Sequence, residues 1–390
     1  MTALTPQEAA RMARGVYLLR EQTVSAVQSS NAELGCEGLF KVDDSSRFVG
    51  ASGGLFSKPL SGFGYIAEGD GKREGEIVVV TRGTNMGADW ASNLNVSVEF
   101  GSTGMTVHAG FNEIWKSFAS EIRSFMQGRN PSAIHCVGHS LGGALANLNA
   151  DYFSGAEMGR VYLYTFGAPR VGLEPFSHVL TDRLGADSIF RVSHQADPVP
   201  MVPVFPFRHL PFAHPGYLVT NGGGLIRVGA HDMLGSYIPG VGDNGWSGLQ
   251  TETPRTDWGE RVKAWLESDA GHCGPAIFSA TLLEMITRAL QWVLKRAKAV
   301  LFAVPGAVVS GMTLLDQLAW LLSNGAKVSV EVAGYVKTLI GAIFRFLGRT
   351  ANKVEDLTVA FLRWVLDLLF GALATAAVVA SQRVGRSVLV

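Results

Sequence analysis

Three side chains in this sequence have the types and the order needed to cleave an ester without a metal. A serine hydroxyl becomes a nucleophile only when an imidazole takes its proton. The imidazole in turn needs a carboxylate to fix its tautomer and stabilise its cation. Gly138-His139-Ser140-Leu141-Gly142 frames a serine with glycines. This is a G-x-S-x-G spacing, which suits a serine on a sharp turn between a strand and a helix. Gly50-Ala51-Ser52-Gly53-Gly54 has the same spacing, and a chain with 46 glycines in 390 residues will repeat such a pattern by composition. Context separates the two. Ile134, Cys136 and Val137 lead into Ser140 as a buried strand, and Leu141, Leu145, Leu148 and Tyr152 follow at helical spacing. Ser52 runs into LFSKPL, where Pro59 opposes a helix. Ser140 is the candidate nucleophile.

The acid should follow a later strand and the base should come after the acid, in the chain order of an α/β-hydrolase. Asp197 stands directly after IFRVSHQA, with Pro198 and Pro200 stiffening the loop behind it. Its alternative use is as a turn-former before proline. His209, His214, His231 and His272 follow. His231 comes after LVTNGGGLIRVGA and before DMLGSYI, a helix start, so chain order favours it as the base. His214 in FAHPGY is its rival, while His209 and His272 read as loop or surface residues. An oxyanion formed at the ester needs two backbone donors. The Leu141 N–H is one, and Thr84, just beyond EIVVVTRG, is the candidate for the other. This chemistry requires no cofactor and no metal.

These residues need a rigid frame. EIVVV at 76–80, the run before Ser140, RVYLYTF at 160–166 and IFRV at 189–192 read as buried strands, with helical patterns between them. Tyr217 to Val228 reads as a hairpin around Asn221-Gly222-Gly223. Thr5, Pro6 and Glu8 form a capping-box start for an N-terminal helix through ARMARGVYLLREQTVSAV, whose charges exclude a secretory leader. The expected fold is α/β, a sandwich with a mostly parallel central sheet. The expected location is cytoplasmic, or outside the cell by a route that needs no cleaved signal. Zero net charge gives no case for nucleic acid. Cys36, Cys136 and Cys273 do not form a disulfide framework, although Cys36 and Cys273 have the option of pairing.

Together TRGT, DW, VHAGF, VGHSLGGALA, YTFGAPRVG and ADPVPMVP resemble the class 3 lipase family, the fungal-type triacylglycerol lipases, over roughly residues 60 to 240. The resemblance implies an α/β-hydrolase fold, Ser140, Asp197 and His231 as the triad, and Thr84 with Leu141 as the oxyanion hole. It also implies that His214 is not the catalytic histidine. A lid would then correspond to MGADWASNLNVSVEF, with Trp90 and Leu94 as its apolar contacts.

The last third has a different composition. From Ala276 onward, 12 Lys/Arg oppose 6 Asp/Glu, a net of +6, so the remainder carries −6. The turn residues SDAGHCGP mark a boundary, giving a hydrolase part at 1–272 and an all-α, basic, amphipathic part at 273–390. Two uncharged runs, 299–315 and 368–382, fall short of a membrane span. Arg345, Arg349, Asn352, Asp356, Arg363 and Asp367 recur at steps expected of one helix face. A helical bundle, a module lying on anionic membrane and one or two inserted helices are the three readings. Membrane phospholipid is the expected substrate, with triacylglycerol as the alternative. An antibacterial effector neutralised by an immunity protein would fit a signal-less lipase with such a tail. The rival from another class is a non-catalytic membrane-binding or pore-forming protein on a hydrolase fold.

Overall fold

A continuous apolar run along a strand supplies both faces of a sheet, and three neighbouring strands of this chain are buried on both sides. The computed structural model describes residues 2–20, 34–51, 60–83, 98–220, 224–252, 258–268, 277–302, 313–350 and 356–387. Among them β1 (Phe40–Lys41), β2 (Arg47–Ala51), β3 (Leu60–Gly69), β4 (Glu76–Thr81), β7 (Ala133–His139), β8 (Arg160–Phe166), β9 (Ile189–His194), β10 (Tyr217–Val219) and β11 (Gln250–Thr251) form one sheet. A separate pair joins β5 (Val98–Phe100) to β6 (Thr106–His108). The order in the large sheet is β1-β3-β4-β7-β8-β9-β10-β11, with β2 beside β3. The run β4-β7-β8-β9-β10 is parallel, and antiparallel pairs flank it on both sides.

Side chains along the three central strands divide with period two. Ile77, Val79, Ile134, Cys136, Val161 and Leu163 enter the core beneath α2 (Ala109–Met126), α3 (Leu141–Gly155) and α4 (Glu174–Leu184). Val78, Val80, Val137, Tyr162, Tyr164 and Phe166 enter the opposite core, covered by α1 (Pro6–Gly15). Both halves of the Thr5–Glu8 capping box are present, and α1 ends at Gly15 in a 3-10 turn, Val16–Arg20. This is the α/β sandwich with a mostly parallel sheet.

A third core lies outside the sheet. It is built from α5 (Trp258–Glu267), α6 (Ala280–Phe302), α7 (Leu314–Val328), α8 (Val330–Phe346) and α9 (Val359–Ser387). Helix α5 precedes the expected division at residue 273, yet packs on α6 and α8. The continuous amphipathic helix expected through Arg345 to Asp367 does not exist. Helix α8 stops at Phe346, where Gly348 adopts φ +69 and the N–H groups of Gly348 and Arg349 bond back to the carbonyls of Arg345 and Phe344. That left-handed closure suits glycine and ends the helix. The second expected uncharged run lies in α9, which is longer than the run itself. Val359–Arg383 passes the length and composition test for a membrane span, and 56% of its most apolar window is buried against the protein. The hairpin expected at 217–228 is also absent. β10 pairs with β9 and with β11, while Leu225 bridges Ser279 instead. Residues 221–223 and Cys273 lie outside the described residues. Cys36 is a buried free thiol beside the Tyr65 hydroxyl.

A polar chain crosses the α1 side of the sheet. His135 Nε2 lies 2.9 Å from Glu76 Oε2, and His135 Nδ1 lies 3.1 Å from the Tyr164 hydroxyl. A carboxylate only accepts, so Nε2 carries the proton and Tyr164 donates to Nδ1. The Tyr164 oxygen accepts the Leu4 N–H at 2.8 Å, which fastens the N-terminal segment. Burial pushes the His135 pKa below its ordinary 6.5, against the pull of Glu76. The unfolded chain therefore takes this proton first, and stability present above pH 6.5 is lost as pH falls below it. Urea titrations of the wild type should show the loss beginning there. His135→Gln should make the slope shallower by at most about 1.4 kcal/mol per pH unit.

Candidate active site

Ser140 lies between the end of β7 and the start of α3. It has φ 59 and ψ −134, a conformation strained for a residue with a Cβ. The strain turns the chain from β7 into α3 within one residue and presents the hydroxyl at the strand end. Such a turn requires backbones to pass closely. A Cβ on Gly138 would strike the Gly142 carbonyl, and a Cβ on Gly142 would strike the Thr81 carbonyl. Both positions need glycine for that reason. Thr81 Oγ1 donates to the Gly142 carbonyl at 2.6 Å, which ties the turn to β4, and the Ser140 N–H donates to the Phe166 carbonyl at 3.0 Å, which ties it to β8.

Asp197 and His231 are brought together. His231 Nδ1 is 2.7 Å from Asp197 Oδ2, and both side chains are fully buried. The same Oδ2 accepts the Tyr237 hydroxyl at 2.6 Å, and Oδ1 accepts the Val199 N–H at 2.9 Å. An ionised carboxylate so surrounded orders His231 with its proton on Nδ1 and its lone pair on Nε2. Tyr237 reaches Asp197 from a π-helical turn, Met233–Tyr237, that Asp232 caps at Gly235. Its own hydroxyl pKa is raised, first by burial and then by the Asp197 charge, so it remains a donor. Gly167, at φ +56, passes so close to Asp197 Oδ2, Tyr237 and His231 Nδ1 that a side chain there would displace them.

His139 completes the wall behind His231. The two imidazoles stack with centroids 4.5 Å apart. His139 Nε2 is 2.9 Å from the His231 carbonyl, and its Nδ1 is 2.9 Å from the Tyr17 hydroxyl. The carbonyl only accepts, so Nε2–H donates to it and Tyr17 donates to Nδ1. That arrangement requires a neutral ring. Burial, and then the neighbouring His231, push the His139 pKa well below its ordinary value, in agreement with the hydrogen bonds. Burial raises the Tyr17 hydroxyl pKa and keeps it protonated.

Two buried atoms here have no hydrogen-bond partner among the described residues, Ser140 Oγ and His231 Nε2. Buried polar atoms are normally paired. A nucleophile and its base are the exception, because their partner is the substrate, and such contacts tighten only when it docks. Leu141 is the first residue of α3, so its N–H is among the helix amides without an intrahelical acceptor and lies next to the serine. Thr84, Trp90 and Leu94 lie outside the described residues, as do Ser52 and His272. The loop toward Thr84 is described as far as Gly83, whose carbonyl accepts Arg82 Nη1 at 2.7 Å, while Arg82 Nε donates to the Gly62 carbonyl at 2.7 Å. His214 is exposed, and His209 Nε2 lies 2.8 Å from the Pro200 carbonyl. Neither is placed with Asp197.

Tyr237, Tyr17 and His139 escaped the sequence reading. His139 was in view as the second residue of the glycine-framed motif, and Tyr237 within DMLGSYI. Only the tertiary structure gives them partners.

Residues 78–207 match the family model described as lipase (class 3). The chain is 36% identical over 167 residues to secreted mono- and diacylglycerol lipase 1 of Fusarium solani, covering 40% of this chain and 47% of that protein. It is 29% identical over 164 residues to secreted mono- and diacylglycerol lipase A of Penicillium camembertii, covering 40% of this chain and 52% of that one. The chain therefore spans about half the length of the curated relatives it matches. Among solved structures, lipase II from Rhizopus niveus superposes with a TM-score of 0.40 at 22% identity, over 56% of this chain and 80% of that one. The stretch that is similar to the class 3 lipases, residues 78–207, contains both Ser140 and Asp197.

Proposed function

We propose that this protein is a serine hydrolase of lipid esters. The observation that carries this reading is a pair of buried atoms without a partner among the described residues, Ser140 Oγ and His231 Nε2, together with the hold of Asp197 on the other nitrogen of His231. His231 takes the Ser140 proton as Oγ attacks the ester carbonyl. The Leu141 N–H receives the negative charge that develops on the carbonyl oxygen, with Thr84 as the proposed second donor. The imidazolium then protonates the leaving alcohol, and an acyl-serine remains. Water, deprotonated by the same His231, releases the fatty acid and restores the serine. Asp197 stays ionised throughout, and its bonds from Tyr237 and Val199 keep it aimed at Nδ1.

Acylglycerol is the favoured substrate class, supported by the names of the relatives, which are mono- and diacylglycerol lipases. A second reading, membrane phospholipid, draws on α9, the one helix among the described residues with the length and composition of a membrane span.

Fatty-acid release from a diacylglycerol emulsion and from anionic phospholipid vesicles tests both readings. Wild type should release acid from the emulsion, and Ser140→Ala should lower the rate by about a thousandfold or more. Release from vesicles at a comparable rate would move the assignment to phospholipid. Folded wild-type protein that acts on neither would sink the hydrolase reading.

Two substitutions around the acid should differ in degree. Asp197→Asn leaves the His231 ring in place but favours the wrong tautomer, and kcat should fall by about ten-thousandfold. Tyr237→Phe removes one of three bonds to the carboxylate, and kcat should fall by only about tenfold with KM unchanged.

A further inference from the structure

The turns that carry the acid and the base are not buried in the cores of the sheet. Strand β9 ends at His194, three residues before Asp197. Beyond Asp197, Val199, Val202 and Val204 are buried in the helical core, and Ile226 and Val228 pack against that same core from the other turn. Val199 is also the residue whose N–H holds Asp197 Oδ1. Val228 opens the 3-10 turn Val228–His231 that bears the base. Helix α9 packs directly on both turns.

Backbone hydrogen bonds run the same way. The Phe278 N–H donates to the Phe346 carbonyl at the end of α8, at 3.0 Å. The Ile226 N–H donates to the Phe278 carbonyl at 2.9 Å, and the Ala280 N–H donates to the Gly224 carbonyl at 2.7 Å. The Arg227 N–H then donates to the Ala196 carbonyl at 2.9 Å, joining the two turns beside Asp197. An unbroken set of contacts therefore leads from the helices to the acid. The stretch matching the class 3 lipases ends at residue 207, before His231, α6 and α9.

We propose that α9 and the segment 278–280 are a positioning element for the acid–base pair, so that these two parts of the C-terminal region, and not its helical core as a whole, belong to the hydrolytic apparatus. Short turns have little internal structure to hold a side chain in one place. Buried aliphatic packing does hold it, because a dense core resists small displacements. Without that packing, Val199 would no longer fix Asp197, and the turn bearing His231 would lose one wall. A displacement of about 1 Å at a reacting group is enough to cost about a hundredfold in rate. The proposal rests on the hydrolase reading above for its kinetic arm and on geometry alone for its spectroscopic arm.

The test compares three truncations in the full chain. Val199→Ala and Val228→Ala weaken the turns' grip on the helices. Leu322→Ala opens the same core in α7, which packs on α6, α8 and α9. Turnover is read on a water-soluble short-chain ester, and the His231 Nδ1 proton shared with Asp197 is read by proton NMR. Both turn variants should lower kcat by about ten- to a hundredfold with KM within about twofold, and should shift or broaden that proton. Val228→Ile should keep wild-type kcat. Leu322→Ala should lower the melting temperature at least as much, yet leave kcat within about twofold and the proton unmoved. If kcat simply tracks the melting temperature across all three, the proposal is overturned. It is equally overturned if the turn variants leave both kcat and the proton unchanged. Should Val199→Ala fail to fold, Val228→Ala, at a partly buried position, carries the same comparison. Should wild type show no Ser140-dependent turnover, the hydrolase reading fails, and the proton resonance alone decides the positioning claim.

Discussion

The approach of three backbones around Ser140 is the constraint on which the rest of the structure depends. β7 must lie between β4 and β8, because the turn at its end is held from both sides, by the Thr81 hydroxyl and by the Phe166 carbonyl. The positive φ of Ser140 is tolerable only because those contacts leave the chain no alternative path. Helix α3 must then start at Leu141 and descend through the core, which explains why nearly every residue along it is buried. A looser turn would give the serine a relaxed backbone and move its hydroxyl from the strand end.

Burial of the acid–base pair sets the second layer of constraint. Polar groups removed from water must each find a partner, and in a low dielectric an error is costly. The order of donors here admits one assignment. Tyr17 donates to His139, His139 donates to the His231 carbonyl, and Tyr237 and Val199 donate to Asp197. Neutral His139 can stack against His231 without opposing the charge that His231 would acquire in the proposed reaction. The two atoms left out of this order, Ser140 Oγ and His231 Nε2, are those that a substrate would complete.

Local patterns made much of this legible. Continuous apolar runs gave β4, β7, β8 and β9, and Thr5 with Glu8 gave the start of α1, because those signals depend on neighbours a few residues away. The same kind of reasoning failed where a distant partner decided the outcome. Leu225 to Val228 is apolar enough for a strand, but Ser279 and Phe278 take its backbone and β11 takes the edge of β10. The polar residues from Arg345 to Asp367 keep helical spacing, but Gly348 ends α8 between them. Spacing records which residues would share a face, not whether the chain stays helical long enough for them to do so.

By itself, the sequence determined the glycine-framed turn, the chain order of Ser140, Asp197 and His231, and the strand and helix on either side of the serine. These follow from steric rules that act within a few residues. Tertiary structure alone decided that Asp197 meets His231 across 34 residues, that Tyr237 meets Asp197 across 40, and that Tyr17 meets His139 across 122. It also decided that the apolar tail turns its buried face toward the turns carrying Asp197 and His231. An apolar residue lowers its free energy by burial against almost any apolar neighbour. Its identity therefore says that it will be buried, and only the packed fold says against what.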